Sequence, residues 1–232
     1  MPTNLSVAAA QPRCVARDVA ANALAHAAAV REAGARVVVF PELSLTGYEL
    51  DAPAVDPADP ALAPLVEACA ETGTVALVGA PVAGPCIGVL AVDEDGARVA
   101  YRKIYLGSEE AEQHRPGPEP ARVEIDGWWL GLAVCRDTGI PQHAADTVAL
   151  GIDAYVAGAV DGPDDAAVQE ERALRIARDH GVPVVIASCA GPTGFGYDRT
   201  AGRSGIWAAD GTELARAGTA AGDLARAVLR RV

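Results

Sequence analysis

The sequence predicts an α/β chain, a layered α+β domain of residues 1–232, on three observations. Short apolar runs rich in Val, Ile and Leu alternate with Ala-rich stretches of helical length, the pattern of sheets covered by helices. Hydrophobic residues make up 50% of the chain but aromatics only 4%, so Ala, Val and Leu must fill the core. No internal repeat or break in composition marks a second domain.

Leu5 to Ala9 is the first predicted strand, and Arg17 to Glu32 a helix stopped by Gly34. Arg36 to Phe40 is a buried strand ending at Pro41, and the Pro/Asp loop "DAPAVDPADP" leads into a helix near Ala61 to Glu71. Val75 to Ala80 is a strand; Gly88 to Val92 and Arg98 to Lys103 form a hairpin around "DEDG". The stretch "GSEEAEQHRPGPEP" is too polar and Pro-rich for a regular element. Ala121 to Ile125 and Trp128 to Cys135 form a second hairpin across Asp126-Gly127. A helix around Gln142 to Leu150, a strand at Asp153 to Ala157, a helix from Asp164 to His180 and a strand at Val182 to Ser188 follow. Strands near Ile206 to Ala208, Glu213 to Ala217 and Asp223 to Leu229 close the chain, with a turn at Asp210-Gly211.

A formal charge of -12 argues against nucleic acid as a partner, because phosphate binding rests on clustered Lys and Arg. No apolar run is long enough to span a bilayer, and "MPTNLSVAAAQPRC" lacks the pattern of a secretion signal, so a cytoplasmic protein without membrane partners is expected. Five scattered cysteines, with no CxxC pair and no histidine at zinc-ligand spacing, fit a reduced setting and no metal. Among the 19 basic residues Lys103 is the single lysine, a hint that an amine is needed there.

Two chemistries compete for "GLAVCRDTG". The Asp137-Thr138-Gly139 triplet suggests an aspartic protease, but that chemistry needs two carboxylates sharing a proton, and this chain has one such triplet amid many helices. The triplet reads better as a turn in which Asp and Thr cap backbone amides. Cys14, Cys69, Cys86 and Cys189 read as inert buried thiols. Cys135 differs, since it ends an apolar strand just before a capping turn, where a helix N-terminus and nearby cations would lower its pKa. His26, His114, His143 and His180 sit where structural or solvent-facing roles are expected, so the base is sought among carboxylates. Glu42 in "VVVFPELSLTGYEL" follows an apolar strand and a proline, which makes it the best base candidate; a capping or ion-paired carboxylate is the other reading.

The stretches "FPELSLTGY", "YRKIYLG" and "LAVCRDTGIP", with "AAAQ", "EAGARVVVFPE", "GVPVVIAS" and "GRSGIWAADGTEL", together resemble the nitrilase (carbon-nitrogen hydrolase) superfamily, in its amidase-like branch. The resemblance implies a four-layer α-β-β-α sandwich and a Glu-Lys-Cys triad, with Glu42 as base, Lys103 as cation and Cys135 as nucleophile. It implies a second glutamate, for which Glu110 has the spacing to Pro116-Gly117, with Glu109 and Glu112 as rivals. The activity implied is cofactor-independent hydrolysis of a small linear amide or N-carbamoyl compound through a cysteine thioester, by a homodimer. Nitrile hydrolysis, acyl transfer and a catalytically silent scaffold are the alternatives. Tyr48 and Arg136 are the candidate substrate contacts, and Arg199, Arg203 and Tyr197 could also approach a pocket. Tyr105 stands where many relatives have histidine, Arg136 follows the cysteine where many have an aromatic, and Ser188-Cys189 replaces a family asparagine.

Overall fold

The computed structural model describes residues 3–231. The strands are β1 (Asn4–Ala10), β2 (Val37–Val39), β3 (Val75–Val82), β4 (Cys86–Asp93), β5 (Gly96–Arg102), β6 (Ala121–Ile125), β7 (Trp128–Val134), β8 (Ala154–Ala159), β9 (Val184–Ser188), β10 (Ala190–Gly191), β11 (Thr200–Ala201), β12 (Gly205–Trp207), β13 (Glu213–Arg216) and β14 (Leu224–Arg230). The α-helices are α1 (Val19–Ala33), α2 (Ala63–Thr72), α3 (Glu110–Gln113), α4 (Pro141–Ala149) and α5 (Ala166–His180). Among the described residues all strands but β10 and β11 form two six-stranded sheets, ordered β14-β1-β2-β3-β4-β5 and β13-β12-β9-β8-β7-β6.

Strand alternation explains how the sheets stack. In β1, Leu5, Val7 and Ala9 point into a core shared with Leu130, Leu132, Val134 and Val156 of the second sheet. Ala8 and Ala10, one residue out of phase, face Ala23, Ala27 and Val30 of α1. On the far side Tyr155, Ala157, Val184 and Ile186 pack beneath Ala144 of α4 and Ala173, Ile176 and Ala177 of α5. The result is an α-β-β-α layering in which alanine lets helices sit close to the sheets. Each sheet has a parallel centre, β1-β2-β3 in one and β7-β8-β9 in the other. Loops leaving the carboxyl ends of parallel strands are natural places for a site.

Helix α1 is capped as its sequence suggests, by Asp18 accepting from the Ala21 amide at 2.9 Å and by left-handed Gly34. The hairpin at Asp126-Gly127 turns through φ of 53° and 79° at those two residues. The polar stretch after β5 departs from expectation: it contains the short helix α3. The strand predicted to include Cys135 stops at Val134, and a 3-10 turn, Cys135–Gly139, begins at the cysteine. The β10–β11 pair was also unforeseen, because two-residue strands carry no periodic signal. No helix among the described residues is long and apolar enough to cross a membrane.

His26 ties α1 to the loop after β2. It is wholly buried, its Nδ1-H donates to the Asn22 carbonyl, its Nε2 accepts from Ser44 Oγ at 2.9 Å, and its ring lies 4.3 Å from that of Phe40. Burial pushes its pKa from 6.5 down to about 4, so between those values the unfolded chain takes up a proton that the folded chain refuses. The stabilisation is full above pH 6.5 and lost as pH falls toward 4, by roughly 3 kcal/mol in all. Denaturant titrations at pH 7 and 4.5 should show a larger acid-induced loss for the wild type than for His26→Gln.

Candidate active site

Glu42 sits in the loop leaving β2, and two glycines hold that loop. The Phe40 amide bonds to Leu77 O at 2.9 Å and the Leu45 amide to Gly79 O at 3.0 Å, so the loop follows β3. A Cβ at Gly79 would stand 2.2 Å from Pro41 O, and one at Gly158 of β8 would stand 2.5 Å from Phe40 O and 2.9 Å from Glu42 N. The glutamate's backbone is thus clamped between the two sheets at positions where any side chain collides. Gly158→Ala is expected to lower stability by about 3 kcal/mol, read as a shift of the urea midpoint with unchanged slope. Leu43 and Tyr48 in this loop hold φ values of 48° and 54°, a conformation that non-glycine residues rarely adopt.

Lys103 follows β5. Its amide donates to Ile87 O at 2.8 Å, and its carbonyl accepts from the Gly117 amide at 2.7 Å. The side chain enters the interior and is 1% exposed. Its Nζ donates to Glu42 Oε1 at 2.6 Å and to Glu110 Oε1 at 2.7 Å. Glu110, the first residue of α3, also accepts from the Gly107 amide at 2.7 Å and the Tyr48 hydroxyl at 3.1 Å. Glu109 and Glu112 are exposed, so Glu110 is the second carboxylate of the cluster. Glu42 Oε2 is buried and, among the described residues, has no hydrogen-bond partner.

Cys135 has φ of 43°, a strained backbone at the junction of strand and turn. Its thiol points toward the Val160 carbonyl, with Sγ 3.5 Å from the oxygen. The following Asp137 is no protease carboxylate. It is wholly buried and accepts from the amides of Val134 (3.0 Å) and Tyr105 (2.9 Å) and from the Tyr101 hydroxyl (2.8 Å). It therefore joins the cysteine turn to the lysine loop. His143 extends the network: its Nε2 lies 2.8 Å from Tyr101 Oη and its Nδ1 2.9 Å from Tyr155 Oη. With Tyr101 donating to Asp137, the consistent tautomer has Nε2-H donating to Tyr101 and Nδ1 accepting from Tyr155. Thr138 donates to the Cys135 carbonyl at 2.6 Å, which corrects its expected role as an amide cap.

One ammonium between two carboxylates leaves an excess negative charge in a dry site, and the surroundings divide the titration. Burial pushes Glu42 up to about 8, against the pull of Lys103. Burial also acts to raise Glu110, but the Lys103 charge, the Gly107 amide and the Tyr48 hydroxyl outweigh it and hold that carboxyl below its usual value. Lys103 moves upward because Glu42, Cys135 and Glu110 outweigh its desolvation. The Cys135 thiol, expected from sequence to be acidified, moves the opposite way. Burial and the charges of Glu42 and Asp161 raise it despite Lys103, so the resting sulfur is protonated. Two carboxylates driven apart in this manner are suited to different tasks, one holding a cation and one exchanging a proton.

A cavity of about 330 Å³ opens onto this cluster, lined by Lys103, Glu110, Cys135, Arg136, Tyr48 and Tyr197 among others. Tyr48 lines it, but with its hydroxyl already given to Glu110, and the rings of Tyr48 and Tyr197 meet edge to face at 5.6 Å. Arg136 is exposed at the cavity wall. Arg199 and Arg203 do not reach it; they line a separate depression with Pro163 and Thr219. Ser188 and Cys189 are likewise not among the lining residues. Sequence reasoning missed Asp161 and Arg172, which do line the cavity. An acidic residue just beyond an apolar strand, in "YVAGAVDG", was the available signal. Among the described residues no group of three or more His, Cys, Asp or Glu could hold a metal ion.

Comparison with known proteins agrees with this architecture. A curated protein of Pseudomonas protegens named "Hydrolase in pqqF 5'region" is 34% identical over 140 residues, 55% of this chain; the match spans about half, 49%, of that relative's length. Saccharomyces cerevisiae Nit3, a member of branch 10 of the nitrilase superfamily, superposes with a TM-score of 0.85 at 20% identity, covering 99% of this chain and 91% of its own. An amidase from Nesterenkonia sp. AN1, solved in complex with acrylamide, gives 0.85 at 22% identity over 98% and 91% of the two chains. XC1258 from Xanthomonas campestris, a CN-hydrolase superfamily protein, gives 0.83 at 17% over 97% and 90%. These structures establish the shared fold. The carbon-nitrogen hydrolase family model matches residues 6–230, and the chain belongs to that family.

Proposed function

We propose that the protein hydrolyses the C-N bond of a small linear amide or N-carbamoyl compound through a thioester on Cys135. The observation that supports this most is the single lysine of the chain, buried between Glu42 and Glu110 in the cavity that holds the Cys135 thiol. Glu42 Oε2, without another partner, takes the thiol proton as sulfur attacks the carbonyl carbon. The carbonyl oxygen becomes an oxyanion held by the Lys103 ammonium and the backbone N-H of Arg136 in the first turn after the strand. Collapse breaks the C-N bond, and Glu42 returns the proton to the departing amine. Water, deprotonated by Glu42, then attacks the thioester, releasing the acid and restoring the thiol.

Glu110 keeps Lys103 charged and aimed, and Tyr48 fixes Glu110. The strained backbone of Cys135 holds sulfur at the cavity wall through both steps. The test is intact-mass spectrometry with a panel of short amides, ureas and nitriles while ammonia release is followed. An acyl adduct on the wild type, absent from Cys135→Ala and coincident with turnover, is the expected result. Turnover retained in Cys135→Ala removes the thioester; absence of both adduct and turnover across the panel favours a silent scaffold.

A further inference from the structure

One buried carboxylate, that of Asp161, lines the cavity without a protein partner. Asp161 lies two residues beyond β8, and the preceding Val160 carbonyl is the group that the Cys135 thiol points to at 3.5 Å. Its own carbonyl accepts from the Ala201 amide at 2.9 Å, which fixes the backbone. The residue is only 9% exposed and lines the same cavity as Cys135, Lys103 and Arg136. Among the described residues its carboxylate makes no hydrogen bond and no ion pair within 4 Å. Arg172 of α5 also lines the cavity, and its charge is felt at Asp161 without closing into a pair.

A carboxylate mostly withdrawn from water and given no protein partner is costly, and buried charges are normally paired or hydrogen-bonded. Glu109 and Asp165, which also line the cavity, are exposed to water, and the other buried carboxylates nearby have partners: Lys103 donates to both Glu42 and Glu110, and Asp137 accepts three hydrogen bonds. Asp161 is therefore an incomplete pair whose open side is the cavity. Arg136 and Arg172 are more exposed than Asp161 and keep contact with water, so neither needs an anionic ligand in the same way. The occupant that completes Asp161 is a compact group with several donors and a positive charge.

We infer that Asp161 is a specificity-determining residue and that the substrate carries an ammonium group on a short chain, a few bonds from the scissile amide. The inference rests on the hydrolysis proposed above for the chemistry, but the binding of the cation stands apart from it. Asp161 follows Val160, whose carbonyl oxygen lies 3.5 Å from the Cys135 sulfur, so a cation at Asp161 would sit only a few bonds from the scissile amide.

The test uses three amides of matched length: 4-aminobutanamide, neutral pentanamide and the carboxylate-bearing glutaric monoamide. Wild-type kcat/KM should favour the ammonium amide over the neutral one by at least about tenfold, mostly through KM. In Asp161→Asn, and in Asp161→Ser should the first variant fold poorly, that ratio should fall to near one. Equal rates in the wild type, a preference that survives both variants, or preference for the carboxylate amide each overturn the inference; the last would assign the cavity to its arginines. Calorimetric binding to Cys135→Ala, with and without Asp161→Asn, reads the cation site independently of turnover. Tighter binding of the ammonium amide that depends on Asp161 supports the cation site even where no amide is hydrolysed, and its absence overturns the site even where hydrolysis is found.

Discussion

Lys103→Ala is expected to lose activity by roughly a thousandfold and stability by about 4 kcal/mol. Both effects come from one ammonium. It contacts Glu42 at 2.6 Å and Glu110 at 2.7 Å where both carboxylates are almost wholly buried, so its removal leaves two buried carboxylates facing each other. Their pKa values must then rise together, Glu110 reversing its present downward shift. A carboxyl with a raised folded pKa contributes stability at low pH that is lost as pH rises through that pKa. The gap between variant and wild type should therefore widen from about pH 5 to 8. Urea unfolding at both pH values checks the sign, and ammonia release checks the rate. Lys103→Arg should not restore activity, because a planar guanidinium cannot occupy a niche shaped for a thin stem and a point charge. Near-wild-type turnover in Lys103→Met would remove the ammonium from the mechanism.

Glu42→Gln is expected to slow turnover by roughly 10³- to 10⁴-fold and to erase a pH dependence that the wild type shows. With the carboxyl pushed up to about 8 by burial, only a fraction of the protein holds Glu42 deprotonated at pH 7, the form in which it would act as the proposed base. The kcat/KM of the wild type for an uncharged amide should therefore climb with pH and level off above about 8. In the glutamine variant the residual rate should lack this limb. A profile already flat between pH 6 and 9 in the wild type would show that Glu42 is not the group whose deprotonation limits the reaction.

The cluster of Glu42, Lys103 and Cys135 was legible before any coordinates because each residue was out of place as a structural choice. Glu42 is a charge directly after an apolar strand, Lys103 a lone lysine among arginines, and Cys135 a thiol at a strand end. The strands were legible for a similar reason: apolar alternation over several residues has few other causes. Asp137 was half legible. Its capping chemistry could be read from the turn triplet, but its bonds to Tyr101 and Tyr105 join segments more than thirty residues apart, and no local pattern encodes them.

Taken by itself, the sequence determined the layered fold class, the residues with unusual chemistry and the family resemblance, since all three rest on residue types and short spacings. Tertiary structure alone decided which glutamate joins Lys103, that Gly79 and Gly158 from opposite sheets clamp the backbone of Glu42, and that Asp161 lines the cavity shared with Cys135. It also reversed the expected direction of the Cys135 thiol. Local sequence suggested a turn and nearby cations that favour thiolate, whereas the packed site removes water and adds negative neighbours. Desolvation depends on everything that surrounds a group in space, and that information is spread over strands far apart in the chain.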